Sequence, residues 1–137
     1  VARLAPEPGR LGSAAFVAGF PFGGALGRAS LTAGSLEDLR GPSGEATLDR
    51  YALPFEPGDV GGPILTPDGA VAGMLVAPDG GSQRMLPPGV ALGVDAGRLG
   101  AILDEAGIAA DRASPIPASG GRAEAEAEVA VLVTCHE

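Results

Sequence analysis

Lysine and tryptophan are absent from this chain, and cysteine and histidine each occur once. Aromatic residues make up 4% of it, and the nine basic residues, all Arg, face 17 acidic ones for a net charge of −8. A nucleic-acid surface needs a basic stripe or an aromatic stacking platform, and neither can be assembled from this inventory. No apolar run approaches the roughly 20 residues required to cross a bilayer as a helix. The longest uncharged hydrophobic stretch, Gly69 to Pro78 apart from its turn, reads as a buried strand. A single cysteine, Cys135, permits no internal disulfide and leaves the redox compartment open. Val1 opens the chain with neither Met nor a signal-like segment, so the sequence is expected to be an excised fragment.

What is plentiful is glycine and proline. They number 23 and 13 and together make about a quarter of the 137 residues, roughly twice the usual share of about 12%. Both penalise helix interiors, which excludes a helical bundle or coiled coil. Yet 45% of the chain is hydrophobic, enough to build a core. The composition predicts one loop-rich globular domain.

Short apolar runs separated by turn residues give the element order. Strands are expected at Ser13 to Phe20, Leu26 to Leu36 and Arg50 to Leu53. Three more are expected at Ile64 to Thr66, Ala70 to Ala77 and Val90 to Val94. Turn chemistry marks Leu39 to Glu45, Pro78 to Gly81 and Pro87 to Gly89. Thr66-Pro67-Asp68-Gly69 is a tight hairpin turn. Six closely spaced strands argue for an antiparallel barrel or sandwich. One helix follows, capped by Asp95, with Leu99, Ile102, Leu103 and Ala106 on one face and Gly107 as its stop. After Ser114 to Gly121, a linker by composition, the tail alternates Ala and Glu. That period of two predicts a terminal strand over Val129 to Val133.

The most informative string is Gly58-Asp59-Val60-Gly61-Gly62-Pro63. By this chain's composition, five such matches arise by chance in roughly 0.4% of chains of this length. The string resembles the GDSGGP nucleophile loop of trypsin-like serine proteases, with Val60 where the serine belongs. Pro63 to Met74 (PILTPDGAVAGM) is similar to the strand, hairpin and strand that follow that loop. Gly89 to Val94 and the helix after Asp95 are similar to the end of the second barrel in the bacterial high-temperature-requirement branch. The resemblance spans roughly Ala14 to Gly107 and is dense only over Gly58 to Met74.

The resemblance implies a mainly β fold, a single antiparallel barrel equivalent to the second barrel of those proteases, with one C-terminal helix and an extra C-terminal strand. The domain organisation expected is a lead-in at 1–12 from an upstream segment, barrel and helix at 13–107, a linker at 108–122 and an acidic alternating tail at 123–137. It also implies that Gly58 and Val60 would supply backbone N–H groups to an oxyanion, with Asp59 steadying the loop and Gly61 and Gly62 permitting its curl. A turn aspartate is the plainer reading of Asp59, and a packed apolar side chain that of Val60.

Catalysis fails on chemistry. Val60 offers only methyl groups where acyl transfer needs a nucleophile, and the sole histidine, His136, lies next to the C-terminus. In the family the histidine and its aspartate come from a first barrel upstream. The expectation is a catalytically inactive homologue acting as a peptide- or protein-binding or scaffolding module. An extended peptide would add along Val90, Ala91, Leu92, Gly93 and Val94. Two alternatives stand beside it: the C-terminal half of a serine endopeptidase whose His and Asp lie upstream, and an unrelated small β-domain. Partners expected are an extended peptide and the upstream barrel, with no cofactor and no metal. A periplasmic or envelope location in a bacterium is implied by the resemblance alone.

Other features take ordinary readings. Cys135-His136 lacks further metal ligands, and Gly19 to Gly24 lacks the GK[ST] ending of a phosphate loop. Glu124, Glu126 and Glu128 form a solvated face, and Glu37, Asp38 and Arg40 sit in a solvated loop.

Overall fold

A computed structural model describes residues 3–77, 86–110 and 130–135. Six strands, β1 (Ala14–Gly19), β2 (Ser30–Asp38), β3 (Leu48–Ala52), β4 (Pro63–Leu65), β5 (Val71–Val76) and β6 (Val90–Asp95), precede one helix, α1 (Ala96–Glu105). They close into an antiparallel barrel in the order β1-β2-β3-β6-β5-β4. The mainly β, single-barrel architecture expected from the sequence is therefore the observed one.

Strand alternation sorts side chains into two clusters, because successive residues point to opposite faces. Ala15, Val17, Leu36, Tyr51, Leu53, Ile64, Leu75 and Ala91 fill the barrel. Leu4, Ala18, Leu65, Val71 and Ala96 form a second cluster outside it, where Phe16, Leu31, Leu99 and Leu103 also pack. The lead-in takes part: Leu4 is buried and bridges Val71 in parallel, and Ala5 N–H donates to the Val71 carbonyl at 2.8 Å.

The hairpin falls where the turn residues put it. Thr66 N–H donates to the Ala70 carbonyl and Gly69 N–H to the Thr66 carbonyl, both at 2.9 Å. Asp95 caps α1, its Oδ1 accepting from Arg98 N–H at 2.7 Å. The helix ends in a paired closure, Gly107 N–H to the Asp104 carbonyl at 3.0 Å and Ile108 N–H to the Leu103 carbonyl at 2.9 Å. Of the four residues expected on its buried face, Leu99 and Leu103 pack on the outer cluster, whereas Ile102 and Ala106 are exposed. No helix among the described residues is long and apolar enough to cross a membrane.

Three expectations are corrected. The second strand begins at Ser30 rather than Leu26, and Leu26 is exposed in the preceding turn. Glu37 and Asp38 end β2 instead of lying in a loop, and Glu37 reaches Arg50 on β3 at 3.8 Å. Residues 130–135 belong to no strand, so the terminal strand over Val129 to Val133 is not formed where the chain is described. Closure bears on this: each barrel strand already has a neighbour on both sides. The turn at Pro78 to Gly81, most of the linker, the Ala–Glu alternation and His136 lie outside the described residues.

Candidate functional site

The Gly58–Pro63 string sits at one mouth of the barrel, between the ends of β1 and β5. Pro57–Asp59 forms a single 3-10 turn. Glu56 N–H donates to Asp59 Oδ2 at 2.9 Å, and Asp59 N–H donates to the Glu56 carbonyl at 2.9 Å. Asp59 is thus a turn aspartate in the plain sense, yet it is also completely buried, and its Oδ1 has no partner among the described residues. The loop is anchored on both flanks. Phe20 N–H donates to the Gly58 carbonyl at 3.0 Å, Gly61 N–H to the Leu75 carbonyl at 2.8 Å, and Leu75 N–H to the Gly62 carbonyl at 3.0 Å. Gly62 N–H closes back on the Asp59 carbonyl at 2.9 Å.

This hydrogen bonding engages one of the two amides that the family resemblance assigned to an oxyanion, that of Val60. Val60 N–H donates to the Pro57 carbonyl at 3.3 Å. The four consecutive amides from Asp59 to Gly62 are all engaged within the protein, so two N–H groups do not converge on an open point. The Val60 side chain is not packed away: it is 38% exposed, at the outer end of the turn. Beside it runs Phe20–Gly24, whose Phe22 holds a left-handed backbone (φ 58°) and is 71% exposed. For a bulky residue that conformation is strained, and such strain concentrates at functional positions. Val60 and Phe22, on or next to two turns that touch each other, are both apolar and exposed.

The strand expected to accept a peptide, Val90 to Val94, is an interior strand. On one edge Val90 to Val94 pair with Ala52 to Leu48, and on the other Leu92 to Asp95 pair with Val76 to Gly73. Addition of a peptide along Leu92 to Val94 is closed by β3 and β5, because both hydrogen-bonding edges are already used there. Next to the loop, the side of β5 whose Leu75 bonds Gly61 and Gly62 continues toward Ala77, beyond the last residue paired to β4.

The opposite mouth holds chemistry that the sequence did not announce. A cavity of about 310 Å³ is lined there by Glu7, Leu36, Asp49, Tyr51, Thr66 and Asp95 among others. Asp49 is buried on β3, two residues before Tyr51 and so on the same inward face. Burial first, then the negative charge of Asp95 and more weakly that of Asp38, raise its carboxyl from 3.8 to about 6, a rise that already includes the opposing hydrogen bond from the Tyr51 hydroxyl. The Tyr51 phenol is pushed well up, first by burial and then by the charges of Asp49 and Asp95. The signal in the sequence was an aspartate at an inward strand position, with Tyr51 and Leu53 continuing the same alternation. Tyr51→Phe removes the one interaction that favours the ionised carboxylate. It is expected to move the Asp49 titration above 6 and to cost about 1 kcal/mol at neutral pH, read from a carboxyl-carbon NMR titration and urea midpoints.

Among the described residues no group of three or more His, Cys, Asp or Glu side chains could hold a metal ion. Cys135 is free and exposed.

No family model matches the chain, and no curated protein matches it. Solved structures share its fold. The Rv3671c protease of M. tuberculosis in its active form is similar over 86% of this chain and 53% of its own, at 22% identity and a TM-score of 0.60. Its inactive form is similar over 76% of this chain and 54% of its own, at 23% identity and a TM-score of 0.60. A serine endoprotease from Yersinia pestis is similar over 77% of this chain and 35% of its own, at 13% identity and a TM-score of 0.60. The chain shares its barrel fold with these protease structures, and it spans about half the length of the Rv3671c chains.

Proposed function

We propose that this domain is a catalytically inactive relative of the trypsin-like serine proteases and binds extended peptide or protein segments at the mouth formed by the Gly58–Pro63 loop. The observation that carries the reading is Val60. It occupies the nucleophile's position in a loop whose buried aspartate and hydrogen-bonded flanks are intact, and it presents methyl groups to solvent there. A loop kept in shape without its reactive hydroxyl favours recognition over acyl transfer. The engaged Val60 amide supports the same conclusion, since a tetrahedral oxyanion needs donors aimed outward. The oxyanion-loop remnant is Gly58, Asp59, Val60, Gly61 and Gly62. Because Val90 to Val94 is paired along both edges over Leu92 to Val94, the proposed strand contact narrows to Val90, Ala91 and the adjoining end of β5 at Val76 and Ala77. The neighbours in fold come from bacteria, and a bacterial envelope protein is the setting that this reading expects.

Val60→Ser tests the catalytic half of the proposal. The variant is expected to hydrolyse chromogenic peptide amides no faster than the parent chain; measurable turnover, inhibited by a serine-directed fluorophosphonate, would overturn it. Titration of the isotope-labelled chain with extended peptides tests the binding half. Amide shifts are expected at Val60, Gly61, Val76 and Ala77, and an unchanged spectrum counts against it.

A second reading is favoured by the length relation: a chain spanning about half of its structural neighbours could be the C-terminal half of an endopeptidase assembled with an upstream barrel. Labelling of the longer parent protein by a serine-hydrolase probe would support that reading, and silence would end it.

A further inference from the structure

Two residues of the segment 130–135, Ala130 and Leu132, lie against the fold. Leu132 sits on Gly24 closely enough that a Cβ built there would come within 2.8 Å of its Cδ2. Two residues earlier, Ala130 packs on the outer cluster that contains Ala18 and Leu65. Between and beyond them, Val131 is 74% exposed and Val133 79%, against 49% for Leu132. Ala130 and Leu132 therefore touch the fold while Val131 and Val133 between and beyond them face water, the alternation of an extended peptide laid on a surface. Gly24 belongs to the 3-10 turn Phe22–Gly24, which abuts the Pro57–Asp59 turn carrying the Gly58 loop. In its neighbourhood stands the strained, exposed Phe22.

We propose that Ala130 to Thr134 is a ligand held in cis. The surface around Phe20 to Gly24 takes an extended peptide with aliphatic side chains at alternate positions, and the chain's own C-terminal segment occupies it. The inference rests on the peptide-binding reading above and names the class of peptide: uncharged and β-branched or aliphatic, recognised by every second side chain. The segment Ala-Val-Leu-Val-Thr has that composition and high strand propensity. A tethered ligand competes at an effective concentration on the order of millimolar, so added peptides bind the parent chain more weakly than they would an emptied site but still bind once they outcompete the segment.

The test uses the full chain with an acetylated, amidated Ala-Val-Leu-Val-Thr peptide added in trans, followed by amide shifts and fluorescence anisotropy. Leu132→Asp places a charge against Gly24 and is expected to release the segment. Amide resonances of Phe22 to Gly24 then shift, and the added peptide binds at least about tenfold more tightly than to the parent chain. Val133→Asp alters an outward residue and is expected to behave like the parent. Equal peptide affinity in the parent and Leu132→Asp, or equal effects of Leu132→Asp and Val133→Asp, overturns the proposal. If Leu132→Asp binds other extended peptides with shifts at Val60 and Val76 but not this one, the cis ligand is refuted while the peptide-binding reading stands. If it binds no extended peptide at all, both fall.

Discussion

Asp49→Asn is expected to stabilise the domain at pH 7 by about 2–3 kcal/mol and to flatten its stability profile between pH 4 and pH 7. The sign follows from the proton. Burial and the neighbouring charges of Asp95 and Asp38 raise the folded-state carboxyl from 3.8 to about 6, so the folded chain holds this proton more tightly than the unfolded one. Stability contributed by the protonated carboxyl is present below the unfolded value, declines as pH rises from 3.8 to about 6, and is fully lost above that window. A tenfold change in proton affinity corresponds to about 1.4 kcal/mol, so the ionised Asp49 costs the folded state up to about 3 kcal/mol at neutral pH. Asparagine is nearly the same size, carries no charge and still accepts from Tyr51. Urea unfolding at about pH 4.5 and pH 7 measures the effect: the parent should lose stability across that interval relative to the variant. A variant no more stable than the parent at neutral pH would refute the buried-charge account.

The second large effect concerns the loop. Gly62→Ala is expected to cost about 3 kcal/mol or more, because the new Cβ would lie 2.1 Å from the Ala18 carbonyl oxygen and 2.9 Å from that of Asp59. Both obstacles are backbone, and neither can rotate away, so the loop must leave β1 or β1 must bend. Gly61→Ala is the control. Its added Cβ meets nothing within 4 Å, and only the positive φ of 86° opposes it, a cost of about 1–2 kcal/mol. For a domain of this size the first change lowers the melting temperature by on the order of 10 °C or more. Calorimetry on the two variants separates close approach from backbone conformation, and equal losses would contradict the packing described for Gly62.

Much of the fold was legible because its signals are local. Asp95 and Gly107 bracket the helix by cap chemistry. Thr66 to Gly69 announces its hairpin, and glycine and proline punctuate the other strands. The loop was legible as a string, and its aspartate and glycines occupy the roles of a tight, anchored turn. Less legible were the relations between distant residues. Leu26 and Ile102 fit apolar patterns, yet both are exposed. Whether Val60 N–H points outward depends on Pro57, three residues away, folding into a 3-10 turn with it.

Turn residues, strand alternation and side-chain chemistry act over a few residues, and they sufficed to specify a glycine-punctuated antiparallel β domain with one helix and a loop deprived of its nucleophile. Three outcomes lay beyond their reach until the sheet closed: β6 is paired on both edges over Leu92 to Val94, Asp49 is buried beside Tyr51, and Leu132 of the C-terminal segment lies against Gly24 without joining the sheet. Closure fixes which edges are spent, which strand faces share an interior of low dielectric, and which surface remains for an apolar segment to cover. None of these is a property of any short stretch of chain.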